Sequence, residues 1–377
     1  MIPTQSVCAA LLGGCFMAMT AHAELRVLLS NGQPPEEGEA EIVYDAGVGG
    51  YRITLHELYA PGDWSRYTII GDGGEVIEEI IIDVPCWEDA NGDCIPAGSP
   101  VDVQIVSAGA NGIRTVRNVI QTGTAETIIS DLEVREDVGR VEAEVIGRVI
   151  AGRDVIGPVI STTPDNPDRG ITRVWADRNI LGDVKAEHGE IGLVYAVGTV
   201  GSPDQPVDIR AKHTIWQVTG EQGIYADINT RANGGSGGLS ALTGDRFNGR
   251  IETQALIQNP WNGLLGGIRF WTEFSGEIVI GSSYVNAWGI ELPPNGLGGQ
   301  ITFNADGDGD GNGAWTSLVH VGPIGDPTTP VLDGPAYPQK ASDLGGGSIG
   351  LVPCSLHDSS CSPQNGGVLQ IEHGRAA

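Results

Sequence analysis

The chemistry open to this 377-residue chain is written most densely at Asp306-Gly-Asp308-Gly-Asp310-Gly311. Three carboxylates at alternate positions on a glycine-rich loop can turn their oxygens toward one hard cation, and oxygen ligands of this kind suit calcium. A shorter arrangement, Asp89-Ala-Asn91-Gly-Asp93, lies between Cys86 and Cys94. A disulfide joining those cysteines would hold the oxygen ligands partly in place for the same cation. Each run also reads as an Asx-rich turn that needs no ion. On either reading the role is structural.

The first run resembles the opening of an EF-hand calcium loop, with Gly311 at the sixth place. The likeness stops at the twelfth place, where a bidentate Glu is expected and Ser317 stands, so backbone and water would have to complete the shell. Catalytic signatures are weaker. Gly234-Gly-Ser236-Gly-Gly238 fits G-x-S-x-G but lacks the strand-turn-helix context of a nucleophile elbow. His188, His213, His320, His357 and His373 are scattered without zinc spacing. Gly345-Gly-Gly-Ser348-Ile-Gly350 lacks the Lys of a phosphate loop. Paired acids could act as acid and base, but in so acidic a chain such pairs arise by chance, and none is singled out. Trp175, Trp216, Trp261, Trp271 and Trp288 fall in or beside successive repeats. They could stack on sugar rings or fill corners of the core.

These groups need a scaffold, and a recurring phrase supplies one. Gly-x-Val/Ile appears at Gly139, Gly157, Gly182, Gly249, Gly276 and Gly299, with variants at Gln205-Pro-Val207 and Gly223-Ile224. The intervals run from 18 to 27 residues and average about 23, within the band of about 20 to 50 that marks solenoids. Short β-branched runs such as Val141-Glu-Ala-Glu-Val145 recur between turn residues, and no comparable stretch has helical periodicity over three turns. One such coil cannot bury its apolar residues alone, whereas stacked coils form a continuous core. Glycine before each strand would permit a positive φ at the corner. In period and strand texture, residues 101–303 resemble the right-handed parallel β-helix of the pectin-lyase-like proteins. That resemblance implies an all-β β-solenoid. It also implies, for the hydrolases of that family, Asn-Thr-Asp, Asp-Asp, Gly-His-Gly and Arg-Ile-Lys phrases, none of which occurs here. A β-sandwich with evenly spaced hairpins remains the other fold open to these strands.

Around the repeats, residues 24–100 read as an antiparallel N-terminal β cap region. Residues 304–377 read as an acidic turn, a Pro/Gly-rich linker and a tail clipped by Cys354 and Cys361. Residues 1–23 read as a secretory signal, an apolar run ending in Ala21-His22-Ala23. Leu12-Gly-Gly-Cys15 resembles a lipoprotein box and leaves a lipidated Cys15 as the alternative. In an exported chain the four remaining cysteines suggest two local disulfides, Cys86 with Cys94 and Cys354 with Cys361. With 48 acidic against 21 basic residues, the net charge of -27 disfavours nucleic acid and anionic membranes as partners and suits divalent cations. No run is apolar enough to span a bilayer as a helix. The expectation is a secreted or cell-surface, non-enzymatic structural or binding module stiffened by calcium, with polysaccharide or other extracellular surface components as partners. A polysaccharide-active lyase or glycoside hydrolase is the alternative.

Overall fold

A computed structural model describes residues 25–56, 66–84, 101–257 apart from 125, 164–165, 167–168, 232–233 and 235–236, and 267–280. It also describes the backbone of the short strands Trp87–Glu88, Cys94–Ile95, Ile290–Leu292, Gln300–Phe303, Val319–Val321, Ser348–Ile349 and Val368–Glu372. The described residues contain no α-helix. The chain is an all-β parallel β-helix, a nearly closed sheet coiling through about 326° around its axis.

Three lines of stacked apolar residues build the core. In the first sheet Ile69, Ile105, Leu132, Val149, Val174, Val194, Val218, Leu242 and Ile268 are partners from coil to coil. A middle line runs Ile77, Val116, Val138, Val155, Ile180, Val200, Ile224, Phe247 and Phe274. The third runs Ile53, Ile80, Val119, Val141, Val159, Val184, Ile209, Ile228, Ile251 and Ile278, and its backbone pairing continues to Ile301. All these side chains through Ile278 are buried. β-Branched residues suit the pleated, half-buried strand, and each layer stays dry only because another covers it.

The Gly-x-Val/Ile phrase marks real rungs, since Val141, Val159, Val184, Ile251, Ile278 and Ile301 all fall on the third line. The two variants do not. The rungs there are Ile209 and Ile228, while Ile224 belongs to the middle line. A turn closed by reciprocal bonds between Ser202 and Gln205 (3.0 and 3.1 Å) inserts residues ahead of the strand and displaces the match. Glycine's role at these corners also differs from expectation. Among them Gly249 has a positive φ, +147°, while Gly139, Gly157, Gly182 and Gly276 are absent from that region of backbone space. At those four, what excludes a side chain is the neighbouring coil's backbone.

Parallel pairing extends beyond residues 101–303 in both directions. Among the described residues before 100, only β1 (Arg26–Leu29) and β2 (Ala40–Asp45) join the sheet purely by antiparallel pairing, on β4 (Arg66–Gly73) and β3 (Gly50–Leu55). β3 already pairs in parallel with β5 (Val76–Ile82), and β4 with Val101–Gly112. At the other end Val319–Val321 extends the first sheet, and Val368–Glu372 closes the third line in antiparallel fashion. Antiparallel strands at both ends cover edges that would otherwise template further pairing.

Between the first sheet and the middle line each coil turns a polar corner. Asp137, Asp154, Asn179 and Thr199 each precede a rung of the middle line and bond to one another along the axis. Asp154, 4% exposed, accepts from Arg178 Nε at 2.8 Å and from the amide and side chain of Asn179 at 3.0 and 3.1 Å. Burial alone would raise its pKa, but the Arg178 and Asn179 hydrogen bonds outweigh that and hold it below the ordinary 3.8. A depressed carboxylate stabilises the fold above its ordinary pKa and loses that contribution as pH falls through the folded value. The melting temperature is therefore expected to fall below about pH 4 by less in Asp154→Asn than in the wild type. Asp154→Ala should cost about 1 kcal/mol at neutral pH by urea titration, because it removes the acceptor of the half-buried Asn179 donors.

Candidate functional site

The same corner carries the candidate site further along the axis. Ala176, Ala196, Gly220, Gly244 and Phe270 are partners on successive coils, so the residues after them form one row: Asp177, Val197, Glu221, Asp245 and Trp271. Here the small residues Ala176, Ala196, Gly220 and Gly244 line the inside of the bend, and in the last coil the buried Phe270 takes that place. Around Glu221, Asp245 and Trp271 an open cleft of about 560 Å³ forms, completed by Thr199, Gln222, Tyr225 and Arg246.

Its floor depends on Gly223. With φ at +146°, a Cβ there would lie 2.6 Å from Arg246 Cγ and 3.4 Å from the Tyr225 ring. The glycine thus leaves room for the Arg246 stem to lie beside Tyr225. The Asp245 hydrogen bond first, and then the Tyr225 oxygen, raise the pKa of Arg246, which stays charged. Its Nη2 is 3.4 Å from Asp245 Oδ2, and its buried Nε has no hydrogen-bond partner. Glu221 accepts the Tyr195 hydroxyl, and that bond, with burial second, pushes the Tyr195 pKa up to about 12. Tyr195 is consequently a neutral donor throughout the physiological range.

Behind the cleft, on the outer face of the first sheet, Trp175 and Tyr195 are partners on adjacent coils and stack with centroids 4.0 Å apart at 18°. Trp175 Nε1 donates to Asp177 at 2.8 Å, and Trp216 Nε1 donates to Glu190 at 2.8 Å. Trp271 is 37% exposed beside Asp245. Trp175 and Trp216 are half-buried, and Trp271 is exposed. Trp261 and Trp288 lie outside the described residues.

A second polar group occupies the opposite corner, after the third line. Burial, reinforced by the nearby Glu126 charge, raises the pKa of Glu144 against the opposing Gln121 bond and Arg169 charge. Glu126 itself pairs with Arg169. Burial thus sets Glu144 apart from a neighbouring carboxyl that is paired with Arg169, an asymmetry that acid–base hydrolysis can use.

Asp306, Asp308 and Asp310, Asp89, Asn91 and Asp93, and Cys86, Cys354 and Cys361 lie outside the described residues. For Cys94 the backbone alone is described, opposite Glu88 in an antiparallel pair. Among the described residues no group of three His, Cys, Asp or Glu side chains could hold a metal. Gly234 has φ of +76° and open space around it, while Ser236 lies outside the description. The cleft residues Glu221, Tyr225, Asp245 and Arg246 carry no local motif. The signal that could have found them is the period, since Glu221, Asp245 and Trp271 are separated by 24 and 26 residues, one coil each. No family model, no curated protein and no solved structure matches this chain.

Proposed function

We propose that this chain is an exported, non-enzymatic β-solenoid that binds glycans of an extracellular surface. The observation that carries the reading is the corner cleft, where an exposed indole stands beside two carboxylates, a guanidinium and an amide. An indole face takes the apolar side of a sugar ring, and planar charged or amide groups bind its hydroxyls. Export, the disulfides Cys86 to Cys94 and Cys354 to Cys361, and calcium at the Asp306 and Asp89 loops belong to the same reading. They rest on the sequence, where each is a local pattern.

The test is retention of purified protein in gels containing soluble polysaccharides, run in calcium and in EDTA. Retention is expected, with Trp271→Ala weakening it about tenfold, and a lower melting temperature in EDTA is expected for the calcium loops. Retention by no polysaccharide would sink the binding reading. The second reading, a polysaccharide-active enzyme of pectin-lyase-like kind, is favoured by the half-buried Glu144, its pKa raised by burial, near the Glu126–Arg169 pair. New reducing ends or unsaturated products, abolished in Glu144→Gln, would move the assignment to it.

A further inference from the structure

Resting on that glycan-binding reading, we propose that the corner cleft takes a neutral polysaccharide strand laid along the solenoid axis, rather than a uronate-rich one. The first argument is length. Thr199, then Glu221 with Gln222 and Tyr225, then Asp245 with Arg246, then Trp271 come from four successive coils. Coils joined by parallel pairing stack at about 4.8 Å, so the row runs about 14 Å along the axis. A row of that length, open to solvent along one side, is shaped for consecutive rings of a chain rather than for one enclosed monosaccharide.

The second argument is charge. Two carboxylates face one guanidinium in the cleft, and Arg246 is already held by Asp245. A uronate carboxylate would approach Glu221 and Asp245 together with the field of a chain of net charge -27. A neutral sugar escapes that penalty. Its hydroxyls can donate to Glu221 and Asp245 and accept from the amide of Gln222 and the guanidinium, and the latter pair of functions matches bonds that need no charge on the ligand. Tyr195 keeps one Glu221 oxygen engaged and the carboxylate turned to one side of the cleft.

The third argument is the placement of the apolar surface. Trp271 stands at the end of the row in the last of the four coils, and Tyr225, two coils before it, lies beside the Arg246 stem. Rings at two depths along one line suit a strand that passes both.

The test is titration calorimetry with three soluble probes, a neutral mannan, polygalacturonate and chitosan, at 50 and 500 mM NaCl, together with neutral oligosaccharides of two to eight sugars. Binding of the mannan with under twofold change across that salt range is expected, because uncharged ligands are insensitive to screening. Affinity should rise with oligosaccharide length and then level off as the row fills. Trp271→Ala and Asp245→Asn should each weaken it at least tenfold, while an outward variant on the far sheet, Arg140→Ala, should leave it unchanged. Circular dichroism melts are the check that each variant folds. Binding confined to polygalacturonate or to chitosan would overturn the neutral assignment and leave the glycan-binding reading standing. Mannan binding untouched by both cleft variants would overturn the cleft placement. Binding of none of the probes or of the wider polysaccharide set would overturn both readings together.

Discussion

Gly182→Ala is expected to destabilise the chain by about 3 kcal/mol or more, a large effect for one methyl group. A Cβ there would lie 1.9 Å from the carbonyl oxygen and 2.2 Å from the carbonyl carbon of Gly157 on the neighbouring coil. At Gly157 a Cβ would lie 2.4 Å from the Gly139 carbonyl carbon, and at Gly139 1.9 Å from the Arg117 carbonyl oxygen. No flexible side chain is available to move. The obstructing atoms are backbone, and flanking bonds such as Val159 N to Asp183 O at 2.8 Å fix the distance between coils. Relief therefore has to break part of the ladder. Gly74→Ala is the matched control, because Gly74 also tolerates a side chain poorly, at φ +84°, but has nothing within 4 Å. It should cost about 1 kcal/mol from backbone strain alone. Solenoids unfold in segments, so urea titration should be paired with hydrogen exchange, where loss of protection is expected first in the coils around residues 157–184. If the two alanine variants melt alike, close coil contact is not what the glycine column serves.

Phe247→Ala is expected to cost about 3 to 5 kcal/mol. Its ring, fully buried, packs between Phe270 and Phe274 with centroids at 5.1 and 5.5 Å. It also occupies the space that Gly276 leaves empty, where a Cβ would come within 2.8 Å of Phe247 Cε1. The surrounding backbone is tied into two ladders and cannot collapse into the void, so the cavity term applies nearly in full. Phe247→Leu, which keeps most of the volume, should cost about 1 to 1.5 kcal/mol. Since Asp245 and Arg246 immediately precede this ring, the alanine variant is also expected to lose glycan retention, and the leucine variant to keep it. Equal stability of the two would mean that the aromatic layer does not support the coils beneath the cleft.

How much of this could be read beforehand differs from one line of the core to the next. The third line was legible where a glycine precedes a β-branched residue at a close contact between coils, and that pair of constraints repeats as a phrase at Val141, Val159, Val184, Ile251, Ile278 and Ile301. The first sheet and the middle line have no such marker, and their rungs look like any apolar residue in a strand. The turn at Ser202 shows why counting fails locally: extra residues leave the sheet at the corner, so the period slips while the ladder does not. The antiparallel caps were half legible, since strand type was clear for β3 and β4 but the partner was not.

By itself the sequence determined that the chain would be built of short β-branched strands, that they would repeat about every 23 residues, and that the surface would be strongly acidic. Those properties are sums over local residue types, and burial of one face by stacking follows from them. Only the tertiary structure decided that Glu221, Asp245, Arg246 and Trp271 share one cleft, and that Glu144 faces Glu126 at the opposite corner. In a solenoid the nearest neighbours of a side chain lie one coil away, and the length of each corner turn sets which residues meet there. That registry is enforced by hydrogen bonds between coils, and no stretch of the chain shorter than a coil contains it.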